Sequence, residues 1–410
     1  MKFGVFYEHQ LPRPWLPGDE ARLFHEALEQ VVLADKLGFD YAWEVEHHFL
    51  DEYSHSSAPE VFLAAAAGMT KNIRLGHGIR QVIANYNHPA RTAECLATLD
   101  IVSHGRVDFG IGEGATRLEL GGFHIPAKEK RAMCLEAAEQ IANMMVLEPY
   151  PGFEGASFSM PCRNVLPKPM QKPHPPMWMA CTNRDTIKVA ASKGVGALAF
   201  SFIDPDEARV WSQIYYDIIA SDQCVPIGHT VNANIAMVSN FSIHHDRAAA
   251  IRRGNEGFEF FGYALNALVA HDTVPGRTNL WPEYLARRGD RTQDLITASE
   301  LAGYRASGIG TPDDMREHLR AFQASGIDQV IFMQQAGRNR HDHICQSLEL
   351  FAAEVMAEFK ADVAEREAAK AARLAPHIEA ALARKIWMQP LADDDIPVVR
   401  ASVAKAQINQ

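Results

Sequence analysis

The chain has 410 residues, 47% hydrophobic and 22% charged, which excludes a fibrous or wholly disordered protein. A formal net charge of −11 disfavours nucleic acid or an anionic membrane as the main partner. Six scattered cysteines without a C-x-x-C pair, a quickly polar N-terminus and no apolar run of about 18 residues predict a cytoplasmic protein with reduced thiols, no secretory signal and no membrane span.

From the N-terminus, β-branched or aromatic runs alternate with stretches of helical period, the order that a parallel sheet joined by helices requires. The predicted strands cover residues 2–7, 41–45, 73–79, 107–111, 177–180, 197–200, 234–238 and 329–333. Eight strand–helix units close a (β/α)8 TIM barrel, expected over residues 1–360 with a helical extension and arm over 361–410. In the first helix, 21–37, Leu23, Ala27, Leu28, Val31, Ala34 and Leu37 recur on one face, and Gly38 supplies the stop. Thr311-Pro312-Asp313-Asp314 gives another helix its N-cap, first-turn proline and dipole-matched acids, and Gly326 ends it. The eight prolines of 149–176 read as a long connection. The aromatic-rich stretch 246–308 reads as an insertion forming a lid or pocket wall.

Three polar clusters stand at strand ends, where barrel enzymes keep their chemistry. Glu46-His47-His48-Phe49 follows the second strand and suits acid–base work, metal ligation or structural capping. Neighbours on a strand point to opposite faces, so the two imidazoles are poorly placed to grip one metal, and no metal is expected. Gly110-Ile111-Gly112-Glu113-Gly114 lets a cofactor, or simply another backbone, approach closely. Thr182-Asn183-Arg184-Asp185-Thr186 opens a helix and reads equally as a phosphate cradle or an ordinary N-cap. His77-Gly78-Ile79-Arg80-Gln81 is a strand end or a strained turn beneath a flat ring. Phe49, Phe200, Phe202, Phe258, Phe261 and Trp281 suit an apolar pocket or a core.

Taken in order, these pieces resemble the bacterial luciferase-like flavin-dependent monooxygenases. The resemblance rests on Lys2-Phe3-Gly4, Gly38-Phe39-Asp40, Glu46-His47-His48-Phe49, Thr70 to Gly76, His88-Pro89-Ala90-Arg91, Ser103-His104-Gly105-Arg106, Gly110 to Gly114, Gly310-Thr311-Pro312 and Leu350 to Met356. It implies that reduced FMN, delivered by an NAD(P)H-flavin reductase, reacts with O2 through a C4a-peroxyflavin. The peroxide would oxygenate a small organic substrate by carbonyl oxidation, Baeyer–Villiger insertion or hydroxylation. His47 matches the family's active-site histidine, and Glu46 and His48 complete the candidate catalytic group. Gly78 and Ile79 match the site of a non-proline cis bond beneath the isoalloxazine, with Gln81 following. Gly112, Glu113 and Gly114 line the cofactor, and Thr182, Asn183 and Thr186, with Arg184 beside them, fall on the phosphate turn. Gly112 and Glu113 stand where luciferases carry a cysteine and a basic residue, so Arg117 or Arg184 is expected to supply the positive charge. The resemblance also implies a homodimer. Alternatives on the same barrel are an F420-dependent oxidoreductase and a metal-dependent hydrolase using Glu46, His47 and His48; a third is a non-catalytic subunit.

Overall fold

The computed structural model describes residues 1–288 and 308–400. Eight parallel strands close into a barrel: β1 Lys2–Tyr7, β2 Tyr41–Glu44, β3 Arg74–Gln81, β4 Val107–Gly112, β5 Met177–Cys181, β6 Gly196–Ala199, β7 Ile235–Ser239 and β8 Gln329–Met333. Each neighbours the next in sequence, and β8 returns to pair with β1, Lys2 opposite Gln329. The protein is therefore a (β/α)8 TIM barrel.

Large side chains fill the barrel because facing positions are empty. Trp43 and Trp178 meet edge to face at 5.4 Å, and Tyr41 stacks on Trp43 at 5.5 Å. Gly76 lies opposite Trp43 in the register and Gly196 opposite Trp178, and a Cβ at either would overlap the indole. The interior is thus a packed core, and ligands must use the mouth.

Helix α1, Asp19–Leu37, buries Leu23, Ala27, Val31 and Ala34 against the barrel and ends at Gly38, whose φ of 88° is left-handed. Helices α2, Pro59–Met69, and α3, Pro89–Val102, follow β2 and β3. The helix Pro312–Ala324 begins with a reciprocal cap: Thr311 Oγ1 accepts the Asp314 N–H, and Asp314 accepts the Thr311 N–H.

The proline-rich stretch is more ordered than a connection. Tyr150–Glu154 and Ser159–Arg163 pair antiparallel: Met160 and Cys162 alternate inward along the second strand, and buried Tyr150 of the first donates to Gln140 at 2.9 Å. The expected lid leaves the barrel after β7, where Ser242–Ile243 pairs with Ile309–Gly310, and contains helices Arg247–Ala270 and Leu280–Arg288. Its residues 289–307 lie outside the described residues, as do 401–410 of the expected arm. The helix Val363–Arg384 packs across the barrel floor through the Lys370–Asp328 ion pair, 2.7 Å. All six cysteines are free. Among the described residues no helix is long and apolar enough to cross a membrane.

Candidate active site at the barrel mouth

The loop after β2 turns sharply, with Phe49 and Asp51 at positive φ, and presents His47 at the C-terminal mouth. Its backbone N–H bonds Ser56 O at 2.8 Å, fixing the main chain beneath the ring. His47 Nδ1 lies 2.8 Å from Glu119 Oε1, and Nε2 lies 3.6 Å from Glu8 Oε2. Glu119 is held by the short helix Arg117–Gly122, capped by Thr116, whose hydroxyl donates to Glu119 Oε2 at 2.9 Å. The His48 backbone N–H adds a bond to Glu119 Oε1 at 3.2 Å. Glu8 follows β1 directly, is 5% exposed, and accepts the Tyr53 hydroxyl at 3.3 Å.

Burial alone would neutralise all three groups, yet their partners divide them. Burial raises Glu8 to about 7 despite the His47 cation and the Tyr53 hydrogen bond. Burial also opposes charge on Glu119, but His47, Thr116 and the His48 N–H bring it down to about 2. His47, desolvated as well, is carried up to about 9 by Glu119 and Glu8. The site therefore holds a cationic imidazole between one firm carboxylate and one that titrates near neutrality.

His47 and His48 face different partners. His48 Nε2 lies 3.0 Å from Glu46 Oε1, and its ring packs against Tyr86 and Phe123. Glu46 in turn accepts the Gln81 N–H at 2.9 Å and the Asn87 amide at 2.8 Å. Glu46 and His48 thus brace the end of β3, and of the three side chains only the His47 ring lies between Glu8 and Glu119.

The β3 end is irregular. The Gly78–Ile79 peptide is cis, the conformation the resemblance implies there, and the β3–β4 register shifts between His77 and Arg80. The β4 glycines answer that irregularity: a Cβ at Gly110 would overlap His77 O, and one at Gly112 would overlap the Ile79 side chain. Gly114, at φ 78°, needs its freedom for the turn into the loop.

The Thr182–Thr186 turn is exposed and caps helix Arg184–Ser192, with Asn183 Oδ1 accepting the Asp185 and Thr186 N–H groups at 3.0 Å each. Arg184, one of two expected sources of positive charge, is drawn into a two-pronged pair with Glu207, at 2.7 and 2.5 Å. Arg117 is exposed at the start of its short helix. Lys188 pairs with Asp185 of the turn at 3.0 Å, and a further cation, Arg131, is near enough to Cys181 for its charge to bear on that thiol. Arg131 pairs with Glu113, as does Lys130 at 3.3 Å, so two cations share one acid at the end of β4. Sequence reasoning missed Glu8, Glu119, Tyr53 and Arg131. The one local signal was the Thr116-x-x-Glu119 capping pattern, which locates a helix start but not a histidine partner.

Aromatic rings wall the mouth. Tyr53 lies 5.7 Å from His47 and 5.4 Å from Phe261 of the insertion, and Phe202 lies 6.0 Å from Phe261. Glu52 fastens this wall by accepting the Leu280 and Trp281 N–H groups at 2.6 and 3.1 Å.

Residues 1–329 match the model of a family described as luciferase-like monooxygenase. The chain is 24% identical over 372 residues to the flavin-dependent trigonelline monooxygenase, oxygenase component, of Acinetobacter baylyi, covering 89% of this chain and 98% of the relative. It is 26% identical to the solved monooxygenase RslO1 of Streptomyces bottropensis, covering 88% of this chain and 100% of that one at a TM-score of 0.70. An uncharacterised protein, y4wF, of Sinorhizobium fredii is 31% identical over 178 residues, 42% of this chain and 50% of the relative. The chain thus spans about half the length of that relative.

Proposed function

Because the chain belongs to the luciferase-like monooxygenase family, we propose that it is the oxygenase component of a two-component system that uses reduced FMN and O2 to oxygenate a small organic substrate. One observation carries this reading: His47 stands at the barrel mouth between a committed and an uncommitted carboxylate, under an aromatic wall.

The residues present fit the flavin. Ile79, turned across Gly112, offers an apolar surface at the mouth, and Glu8 Oε2 is buried without a hydrogen-bond partner. Gly78, Ile79, Gln81, Gly112 and Gly114 would line the ring system. Thr182, Asn183 and Thr186, at the positive end of their helix, would receive the phosphate with Arg131 and Lys130 as cations. Bound reduced FMN supplies the electrons that activate oxygen. His47 holds and returns a proton at Nε2, Glu119 fixes the ring through Nδ1, and Tyr53 and Phe261 keep water from the mouth.

The trigonelline relative is named as an oxygenase component, which supports a separate flavin reductase as the partner. Val61 and Met69 on α2 and Ile101 and Val102 on the neighbouring α3 are exposed apolar side chains that support a homodimer through these helices. The six free thiols suit a cytoplasmic location.

Anaerobic titration with reduced FMN, and in parallel with reduced F420, tests the assignment. Saturable binding of reduced FMN, followed by a long-lived absorbance on admitting oxygen, is expected. Preferential binding of F420 without oxygen uptake would replace it with the deazaflavin reading.

A further inference from the structure

We propose that Glu8 is the proton-exchanging partner of His47: when the imidazole gives up its Nε2 proton, the Glu8 carboxyl replaces it, while Glu119 holds the opposite side of the ring. This rests on His47 as the proton-handling residue of the oxygenation and deepens that reading.

The two carboxylates differ in how they are held. Glu119 takes bonds from the Thr116 hydroxyl, the Thr116 N–H at 3.3 Å, the His48 N–H and the His47 ring, so a proton there would break a saturated set. Glu8 accepts one long bond, from Tyr53 to Oε1, and its buried Oε2 has no hydrogen-bond partner. That oxygen faces His47 Nε2 at 3.6 Å, a separation that a small rotation of either side chain converts to a hydrogen bond. The other charged groups bearing on Glu8 are Glu44 and Glu119, both acids, which favour its neutral form. Glu46 adds a further acid facing His47. Carboxyls pushed to opposite ionisation by their surroundings are the mark of divided acid–base duties.

The step balances without another reactant. The Glu8 O–H bond breaks and the His47 Nε2–H bond forms, leaving a carboxylate beside an imidazolium; solvent returns the proton to Glu8. Glu8 acts through His47 and is a positioning and proton-supplying residue.

Histidine-selective NMR titration of the full chain without flavin tests this, the His47 signal being assigned by its loss in H47Q. In the wild type the His47 resonance is expected to move in two steps, one near neutrality as Glu8 ionises and one higher as the ring loses its proton. In E8Q the lower step vanishes and the upper falls by about one pH unit, roughly tenfold in proton affinity. E8D restores both steps. Y53F, which keeps the ring but removes the donor to Glu8, moves the lower step upward. An unchanged His47 titration in E8Q overturns the proposal; should E8Q misfold, an unmoved lower step in Y53F does so. Because no flavin is present, a failure here is distinct from a failure to bind reduced FMN.

Discussion

At the N-terminal floor of the barrel, Asp108 accepts Arg74 Nε at 2.5 Å and Trp178 Nε1 at 2.9 Å. Nearby, the Arg106 guanidinium donates to Ser103 O, Thr70 Oγ1, Ile73 O, Ala67 O and Thr70 O. At the mouth, Glu8 is as deeply buried but keeps an unpartnered oxygen 3.6 Å from an imidazole. Both ends bury charge; the floor saturates it, whereas the mouth saturates Glu119 and leaves Glu8 short of a partner. Saturation fixes a conformation, whereas an unsatisfied group can accept or release a proton at modest cost.

Removing the imidazole should separate the ends most clearly. H47A is expected to lower product formed per reduced FMN by about 10²- to 10⁴-fold, the usual worth of acid–base catalysis, with reduced-flavin affinity little changed in an anaerobic titration. Product yield equal to wild type would remove the mouth's special status. R74M strands Asp108 and should cost about 3 kcal/mol in denaturant unfolding, while the folded protein still binds reduced FMN normally.

The pH dependence sharpens the contrast within the mouth. Glu119 is held at about 2 against an ordinary carboxyl value of 4.5, so its stabilisation is present above 4.5 and lost as pH falls through 2. In E119Q that part of the acid-limb slope between pH 4.5 and 2 should be missing, so that it stands out in the difference between the two stability curves. The smallest effect is expected from T116A, which removes the cap hydroxyl and should cost about 1 kcal/mol by thermal unfolding, with a smaller fall in turnover as Glu119 loosens.

Much of the frame was legible in the chain's order. The Thr311 cap and the Gly38 stop need only their immediate neighbours, and each stands where its local pattern put it. The Pro149–Pro176 stretch misled because its alternating apolar residues were masked by prolines, yet it folds a hairpin. Arg184 drew attention as the residue beside a phosphate turn, but Glu207, from the next helix, claims it, and Arg131 arrives from a helix more than fifty residues earlier.

Strand period, glycine placement and capping patterns are local, and they determined the barrel, its eight strands and the presence of His47 at a strand end. The partners of that histidine lie 39 residues before it and 72 after it, on different strand ends. Only closure of the barrel brings Glu8 and Glu119 to opposite sides of one ring, because electrostatic coupling acts through distance in space and sequence spacing carries no record of it.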